Sequence, residues 1–410
     1  MRPCSELTGT GLSRLSIARF VVGLALIVLA LGACDSGRED HPAADLQHAL
    51  AARLADPAAC PTGGSADVQQ AVNAAGADGV AHLPEGCYRI TSAVNVPPGV
   101  RLLGAGADKT LLYRDADERP ADAMLRVRGG GSAAGGTQIA GLALIGVRDT
   151  DDTVQDYGLV LSNVPEFRVD HCYLEGFGFA AVRVEGASYG VVDHSILVDN
   201  FKRGIDNLGY GVAVYGENNW MAELTPGGPR ATFVEDNLFV GNRHAIAASA
   251  GAHYVFRHNQ VLHNVVACAV DAHGMGYGSS RGTRYVEIYR NVIGRPDHKE
   301  CGIGIRGGAG VIFENNIEGY DNPILLILEW GTPDALKDKY PAFDQVQGLY
   351  IWDNQIAGGP AAPRVDETGK GFIEAGRDYF ATPPPGYVPY EYPHPLAHGG
   401  PFDDKDNGVK

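Results

Sequence analysis

Histidine, aspartate and arginine are concentrated in one stretch of this 410-residue sequence, between residues 203 and 306. Asp271 and His273 are two residues apart, so on a strand both side chains would point to the same side. A neutral imidazole held by a carboxylate can remove a proton near pH 7, and His244 is a second candidate for this role. Tyr277 could protonate a leaving oxygen. These residue types suit removal of a proton next to a carboxylate, provided that cations neutralise that carboxylate.

Basic and aromatic residues that could hold an acidic substrate lie in and around the same stretch. Guanidinium groups bind carboxylates through paired hydrogen bonds. The predicted substrate-binding residues are Lys202, Arg203, Arg243, Arg257, Arg284, Arg306 and Trp220. Inserted segments at 200–229, 274–282 and 330–345 could form the walls of a groove, because long loops in a compact scaffold are usually functional.

The overall charge limits the partners. The chain has 33 Lys and Arg residues against 49 Asp and Glu residues, which gives a formal net charge of −16. A broad nucleic-acid-binding face is therefore not expected, because phosphate binding needs clustered positive charge. The net charge does not exclude an acidic substrate, since a local basic groove can attract one.

A repeated pattern predicts how these residues are positioned. A short alternating strand, a polar pair and then one small polar residue recur with a basic step of about 22–25 residues. The equivalent anchor positions are Cys172, Ser195, Asn237, Asn259, Asn291, Asn316 and Asn354. No amphipathic helix of useful length separates the strands, so the pattern predicts coils of three short strands. Stacked coils would align the anchors into an internal ladder at a bend, with the amides tolerating left-handed backbone geometry.

Aligning the coils by their anchors groups the outward side chains into columns. Three columns result: Arg203, His244, Cys268 and Cys301; then Asp206, Ala247, Asp271 and Gly304; then Ser249, His273 and Arg306. Cys268 and Cys301 fall on adjacent coils, within disulfide reach, and are expected to pair. Cys60 and Cys87 are the second suggested pair and Cys172 a buried free thiol, although sequence alone does not fix the connectivity.

The N-terminal run strengthens this interpretation. Residues 67–73 predict a capping helix, Pro84-Glu85-Gly86-Cys87-Tyr88 follows, and Gly99-Val100-Arg101-Leu102-Leu103-Gly104 comes next. Together with the repeat, this resembles the right-handed parallel β-helix of the pectate-lyase-like superfamily. The resemblance implies an all-β fold, with a single right-handed parallel β-helix over 63–380 and an N-terminal capping helix. The Pro/Tyr-rich segment 381–410 is expected to form a C-terminal cap or tail.

The resemblance and the candidate residues together favour a polysaccharide lyase that cleaves a uronic-acid-containing polymer by β-elimination. A glycoside hydrolase on the same fold, using Asp206, Asp271 or Glu314, is one alternative. A non-catalytic glycan-binding surface protein is another. Val-Asp-His at 169–171 and 192–194 is similar to an element of pectate lyases but falls at the anchors, which indicates a structural role. No cofactor is firmly indicated; Ca²⁺ is a candidate, and zinc is an alternative without a strong signature.

The first residues predict export. Arg2, Arg14 and Arg19 precede an apolar run at 20–30, and Leu31-Gly32-Ala33-Cys34 resembles the lipobox of bacterial lipoproteins. This implies a signal peptide at 1–33, lipidation of Cys34 and a tether at 34–62. The expected location is the cell envelope, with the lipid anchoring a monomer that faces the periplasm or the exterior.

Overall fold

Three parallel sheets wind around one core in the computed structural model of the chain. The model describes residues 41–56, 60, 62–76, 79–115, 120–130, 135–147, 153–204, 208–219, 223–276, 279–329, 331–332 and 334–403. Within these residues, each turn of chain contributes one strand to each sheet, and each strand pairs with its equivalents in the neighbouring turns. The predicted right-handed parallel β-helix is confirmed.

Each sheet runs the length of the solenoid. Sheet A consists of β1 (Thr62–Gly64), β3 (Gly86–Arg89), β6 (Thr110–Tyr113), β9 (Ala143–Ile145), β12 (Tyr173–Glu175), β15 (Ile196–Val198), β18 (Leu238–Val240), β21 (Gln260–Leu262), β24 (Val292–Gly294), β27 (Asn316–Ile317), β30 (Gln355–Ile356) and β31 (Gly359–Pro360). Sheet B consists of β2 (Val80–His82), β5 (Arg101–Leu103), β8 (Gln138–Ala140), β11 (Phe167–Asp170), β14 (Gly190–Asp193), β17 (Thr232–Glu235), β20 (His253–Arg257), β23 (Tyr285–Tyr289), β26 (Gly308–Phe313), β29 (Val346–Trp352) and β33 (Tyr379–Phe380). Sheet C consists of β4 (Val94–Val96), β7 (Ala123–Arg128), β10 (Tyr157–Ser162), β13 (Ala180–Glu185), β16 (Tyr210–Tyr215), β19 (His244–Ser249), β22 (Val270–Ala272), β25 (Cys301–Ile305), β28 (Asn322–Leu326) and β32 (Pro363–Val365).

Stacked aliphatic side chains fill the interior. Five neighbouring strands of sheet C each place one fully buried residue at the same register position. These residues are Val212, Ile246, Val270, Ile303 and Ile324. Burying each such side chain stabilises the fold by about 1.5–3 kcal/mol. Because alternate residues of a strand point to opposite sides, the residues between them face outward.

The predicted ladder exists, with one correction. The backbone N–H of Asn259 donates to Oδ1 of Asn291 at 2.9 Å, and that of Asn291 donates to Oδ1 of Asn315 at 3.1 Å. Asn315 in turn donates to Asn354 at 3.1 Å. Asn316, which the sequence suggested as the anchor, instead begins β27 and pairs with Val292. Two asparagines in succession made the register ambiguous by one residue.

The left-handed backbone lies one residue before each anchor. His258, Arg290 and Glu314 have φ values of 56°, 57° and 54°, and they precede Asn259, Asn291 and Asn315. The expectation that the amide residue itself takes this conformation is therefore wrong. The amides do satisfy buried backbone groups, as the ladder requires: Nδ2 of Asn259 donates to the carbonyls of Val234 and Arg257 at 2.8 and 2.9 Å.

The capping helix is present as α2 (Ser65–Ala75). Val68 and Val72, four residues apart on one helix face, are fully buried against the first coils. The carboxylate of Asp67 accepts a hydrogen bond from Gly64 N–H at 2.7 Å, which satisfies a backbone donor at the helix start. The helix therefore covers the open end of the core, where unpaired strand edges would otherwise meet solvent.

Part of the expected tether is a second helix, α1 (Ala44–Ala55). Leu50 is buried against the outer face of sheet A. Gln47 donates to Glu175 at 2.8 Å and to Asp199 at 3.1 Å, and Arg53 donates to the Lys109 carbonyl at 3.2 Å. The tether prediction for 34–62 therefore fails over this helix, because Leu50 gives the segment an apolar contact with sheet A. A third, short helix is α3 (Asp334–Lys337).

The C-terminal segment covers a side of the solenoid instead of its end. Tyr379 and Phe380 pair with β29 as the last coil, and residues 383–403, here called the C-terminal strap, then run back along the outer face of sheet B. The strap includes a single 3₁₀ turn at Pro395–Ala397 among its described residues. Of the two forms expected for 381–410, a cap or a tail, the cap is corrected over the described residues, since the aromatic strap residues pack on a lateral apolar stripe.

Both suggested disulfides are formed. Cys60 and Cys87 have Cα atoms 5.5 Å apart, and Cys268 and Cys301 have Cα atoms 4.6 Å apart. Cys172 is a buried free cysteine, and burial raises the pKa of its thiol to about 12. Among the described helices, none has the length and apolar character needed to cross a bilayer. The predicted signal peptide and Cys34 lie outside the described residues.

Candidate active site

The outward columns of sheet C agree with the predicted ones over the coils of β19, β22 and β25 and differ in the coil of β16. Asp271 is in register with Ala247 and Gly304, as expected, but Ala247 is preceded by Ala213 instead of Asp206. His244 is likewise preceded by Tyr210 and not by Arg203. The strand of this coil starts at Tyr210, within the segment 200–229 that the sequence suggested as an insertion, whereas the expected start was residue 204.

Asp271 and Arg306 form the centre of the cluster. Asp271 is fully buried, and its two oxygens accept hydrogen bonds from Nε and Nη2 of Arg306, the Nε contact being 3.1 Å. Burial alone would raise the pKa of Asp271, but Arg306 and the two neighbouring histidines hold this pKa well below its usual range. Asp271 therefore remains ionised, and its negative charge fixes the guanidinium group.

His273 lies at the solvent edge of this pair. Its side chain is 18% exposed, and its Nε2 is 3.1 Å from Arg306 Nη2 and 3.4 Å from Asp271 Oδ2. Because arginine only donates, the neutral ring presents a lone pair at Nε2. Burial, followed by the charge of Arg306, lowers the pKa of His273 to about 3. The imidazole is therefore neutral at pH 7 and positioned by two fixed groups.

His244 lies deeper than the sequence suggested. It is fully buried, its Nδ1 hydrogen-bonds to the Cys268 carbonyl, and its ring stacks on Tyr210 with centroids 5.6 Å apart. Burial and Arg243 lower the pKa of His244 well below its usual value. A ring without solvent access cannot take a proton from a polymer, so the structure does not support His244 as a base. Its contacts with Asp271 (3.3 Å) and Tyr210 make it a positioning residue.

Arg243 supplies positive charge with unused donors. Its side chain is mostly buried, and its guanidinium carbon lies 5.6 Å from the centre of the Tyr210 ring. Nε and Nη1 of Arg243 are buried and have no hydrogen-bond partner in the described part of the chain. Buried donors are almost always paired in native proteins, so these two groups leave the positive charge of Arg243 only partly satisfied. Neither atom contacts solvent, so a polymer meets this charge through the 8% of Arg243 that stays exposed.

Sequence reasoning missed two members of the cluster. Glu329 is buried after the end of β28, where it contacts Arg306 at 3.4 Å and accepts from Gly274 N–H at 3.1 Å. Burial raises the pKa of Glu329. Tyr210 begins the alternating run Tyr-Gly-Val-Ala-Val-Tyr, a strand signal that was available in the sequence but was attributed to the inserted loop.

Several predicted substrate-binding residues lie elsewhere. Lys202 is buried, with its Nζ 3.6 Å from Asp156, so it balances an internal charge. Arg257 is buried on sheet B, where it contacts Glu235 and the strap. Arg203 is exposed on the turn after β15. The predictions for Lys202 and Arg257 are corrected, because both side chains pair buried carboxylates. Substrate binding by Arg203 stays a prediction.

The remaining predictions fall beside the cluster or outside the described residues. Arg284 is partly exposed just before β23, and its backbone N–H donates to Ala252 at 3.0 Å. Its pKa is lowered by burial and by Arg281. Trp220, Tyr277 and Asp206 are not among the described residues.

The cluster does not fit the Ca²⁺ candidate. His244, Asp271 and His273 place ligand atoms within 4.8 Å of one another. Ca²⁺, however, takes six to eight oxygen ligands, and this group offers a single carboxylate whose two oxygens already accept from Arg306. A divalent ion here would also be close to the positive charge of Arg306. We therefore derive no chemical step through a metal.

Comparisons with known proteins concern the fold. No model of a protein family matches the chain, and no curated protein is similar to it. A mannuronic acid specific polysaccharide family 6 lyase from human gut microbiota is 16% identical with a TM-score of 0.46, covering 74% of this chain and 78% of that one. The Dettilon tailspike protein is 13% identical with a TM-score of 0.45, covering 71% and 58%.

A third solved structure is the GH87 α-1,3-glucanase of Streptomyces thermodiastaticus strain HF3-3. It is 13% identical with a TM-score of 0.44, covering 82% of this chain and 70% of that one. The chain thus spans little more than half the length of the tailspike and 70% of the glucanase. All three have folds of the parallel-β-helix type.

Proposed function

We propose that this chain is an exported, lipid-anchored polysaccharide lyase that cleaves a uronic-acid-containing polysaccharide by β-elimination. One observation carries the proposal. His273 is a neutral, solvent-accessible imidazole fixed by Arg306 and Asp271, and it lies in one cluster with Arg243, whose buried N–H groups have no partner among the described residues. This combination can neutralise a carboxylate and remove the adjacent proton.

The reaction assigns a task to each group. The positive charge of Arg243 acts on the uronate carboxylate, which lowers the cost of developing negative charge at the neighbouring carbon. The C5–H bond breaks, and the proton moves to Nε2 of His273 once the Arg306 N–H turns from this nitrogen to the carboxylate. The electron pair forms the C4–C5 double bond and expels the O4 oxygen. Tyr277 remains the predicted donor of the proton that this oxygen takes up.

The substrate itself makes His273 a stronger base. In the free protein, burial and Arg306 hold the pKa of His273 at about 3. A bound carboxylate adds negative charge beside Arg243 and Arg306. This charge raises the pKa of His273, which makes the imidazole a stronger base for the C5 proton. The base of the free enzyme stays deprotonated above about pH 4, so kcat/KM should show no loss from His273 protonation between pH 5 and 7.

The hydrolase alternative finds less support. Asp271 is buried and committed to Arg306, whereas Glu314 lies at the bend after β26 of sheet B, where it pairs with Arg290 at 2.6 Å. A hydrolase needs two carboxyl groups flanking the same bond at ~5–9.5 Å. These two residues belong to different faces and do not form such a pair.

A panel of anionic polysaccharides tests the reaction. A lyase forms a conjugated double bond that absorbs in the ultraviolet, a hydrolase forms new reducing ends without this absorbance, and a binding protein retains polymer without either. The His273→Gln variant should lower kcat by about 10²–10⁴-fold, because it removes the base. The matched control is His298→Gln, since His298 is 41% exposed and pairs only with Glu300 among the contacts described. Full activity of His273→Gln with unchanged folding would contradict the proposed site.

Anchoring has its own test. Replacing Cys34 with Ala should release the protein from the membrane fraction of expressing cells, because acyl chains supply the binding energy. Retention in that fraction of a Cys34→Ala variant whose residues 1–33 have been removed would contradict lipid anchoring and leave the proposed reaction untouched.

A further inference from the structure

A cavity of about 460 Å³ lies on the outer side of sheet C, next to the candidate active site. Its lining includes Ser162, Arg183, Glu185, Tyr215 and Asn218. The first three stand at the C-terminal halves of β10 and β13, and Tyr215 ends β16. None of these residues belongs to the His273 cluster, so the cavity is a separate feature of the same face.

The charges in the cavity balance each other. Arg183 Nε lies 2.8 Å from Glu185 Oε2, and Ser162 donates to Glu185 Oε1 at 2.5 Å. The guanidinium carbon of Arg183 also lies 4.8 Å from the centre of the Tyr215 ring and 5.2 Å from that of Phe179. A carboxylate entering this cavity would meet the charge of Glu185, while its attraction to Arg183 is already offset.

The remaining lining groups suit an uncharged polyol. Tyr215 is a partly exposed aromatic residue of the lining, and aromatic side chains combine apolar contact area with a hydroxyl that can hydrogen-bond a sugar. Asn218 contributes an exposed amide. Its Oδ1 accepts a hydrogen bond from the Ser280 hydroxyl at 2.9 Å, so the NH₂ group of Asn218 is the part that can donate to a sugar hydroxyl. Paired charges, an amide, a hydroxyl and an aromatic ring recognise hydroxyl groups and reject unpaired charge.

The cavity lies on the path to His273. Glu185 is in register with Tyr215, and Tyr215 with Ser249. The His273 backbone N–H donates to Ala248, which places His273 in the column of Ser249 on the next strand. Three strand spacings of ~4.8 Å separate Glu185 from His273, or about 14 Å. A polysaccharide running along the solenoid would therefore occupy both places at once.

We propose that this cavity binds an uncharged sugar residue of the polymer whose uronic acid reacts at His273. The inference rests on the proposed function. It narrows the substrate to a heteropolysaccharide in which an uncharged sugar lies within a few residues of each reacting uronic acid. A homopolymer of uronic acid would place a carboxylate beside Glu185.

The experiment compares kcat/KM on a uronic acid homopolymer with kcat/KM on heteropolymers of uronic acid and uncharged sugars. The unchanged protein should prefer a heteropolymer by about tenfold or more, which corresponds to one well-placed hydrogen bond. Glu185→Gln leaves the Arg183 charge unpaired and should shift the ratio toward the homopolymer by about tenfold. Glu217→Gln, a change of an exposed carboxylate that does not line the cavity, should leave the ratio unchanged.

The outcomes separate the two levels of the proposal. Unsaturated products from homopolymer and heteropolymers at equal rates, or an unchanged ratio in Glu185→Gln, would overturn the inference and leave the lyase intact. If no polymer gives unsaturated products, the proposed function fails, and calorimetric titration of neutral oligosaccharides into the His273→Gln variant tests the cavity by itself. Binding that weakens about tenfold or more on adding Glu185→Ala supports the cavity, and absence of binding overturns it.

Discussion

The outer faces of sheets B and C carry the same kind of side-chain pair in two different settings. On sheet B, buried Arg257 contacts buried Glu235, and the C-terminal strap covers both. On sheet C, Arg306 contacts buried Asp271, while His273 beside them keeps 18% of its side chain exposed. Residue types alone therefore do not distinguish a structural cluster from a site; what covers the cluster does.

The strap shows how a charged face is converted to a structural one. Nη1 and Nη2 of Arg257 donate to the carbonyls of Tyr390 and Glu391, both at 2.7 Å. Further along the strap, Asp403 accepts from Arg168 at 2.8 Å. Each side-chain nitrogen of Arg257 and Arg168 donates to the chain itself, whereas Arg243 on sheet C retains two N–H groups without a partner among the described residues.

Removing the centre of the sheet B pair should give the largest loss of stability. Arg257→Ala leaves Glu235 buried without its charge partner and should lower the free energy of unfolding by about 3–5 kcal/mol. KM for the polymer should not change, since Arg257 is on the covered face. Denaturant unfolding together with the lyase assay checks both parts. The control Arg290→Ala breaks an exposed pair and should cost less than about 1 kcal/mol.

The equivalent change on sheet C should affect the reaction instead. Arg306→Lys keeps the charge but loses the two-pronged contact with Asp271, so His273 would be held less well. We expect kcat to fall by about 10²-fold, the loss expected from a misplacement of about 1 Å. Steady-state kinetics of Arg306→Lys and Arg257→Lys measure the contrast. An equal fall in kcat for Arg257→Lys would remove the distinction between the two faces.

The internal asparagine ladder lies beneath both faces, so a change in it should lower the stability of the whole solenoid. Asn315→Ala leaves buried backbone groups unpaired and should lower the free energy of unfolding by about 1–3 kcal/mol. Asn316→Ala, one residue away and hydrogen-bonded to Glu318, should cost less than about 1 kcal/mol. Thermal unfolding of both variants decides the register. A larger loss for Asn316→Ala would contradict it.

Acid should weaken the strap, with the smallest expected effect. Burial, followed by Arg257 and Arg290, lowers the pKa of His258 to about 4, and burial followed by Arg257 lowers that of His394 to about 4. Because an unfolded histidine titrates near 6.5, the unfolded chain binds more protons between about pH 6.5 and 4, and stability falls as the pH drops through this window. Glu235, with its pKa raised to about 6 by burial, offsets part of the loss.

The comparison of Tm at pH 7 and pH 4.5 measures this effect. His258→Phe should keep the stacking on Tyr392, where the ring centroids are 3.7 Å apart, and should reduce the loss of Tm in acid. His298→Phe alters an exposed histidine and should leave the loss unchanged. An identical loss in His258→Phe would show that His258 does not carry it.

Local signals in the sequence were sufficient to predict the coils, because each coil repeats a strand and an anchor. The columns failed where an insertion hid the strand start: the true start at Tyr210 replaces Arg203 by an aromatic ring and Asp206 by Ala213. Cys268–Cys301 and the group of Asp271, His273 and Arg306 were predicted because no insertion separates their strands from their anchors.

The strap could not be predicted from the sequence, because its partners are distant along the chain. Arg257 meets Tyr390 over a separation of 133 residues, and Arg168 meets Asp403 over 235 residues. Burial is equally hidden: Lys202 and Arg203 are adjacent in sequence, yet the first is buried against Asp156 and the second is exposed. Periodicity gives the side of a strand but not what lies over that side.

Helix α1 has a consequence for posture at a membrane. Its residue Arg53 contacts the coil of β6, while Gln47 contacts the coils of β12 and β15, so α1 begins on the flank of the solenoid and not at its tip. With acyl chains on Cys34, residues 35–43 could extend at most about 32 Å. If Cys34 is lipidated as proposed, the solenoid would lie on its side with sheet A toward the lipid. A polymer bound along sheet C would then run parallel to the bilayer surface.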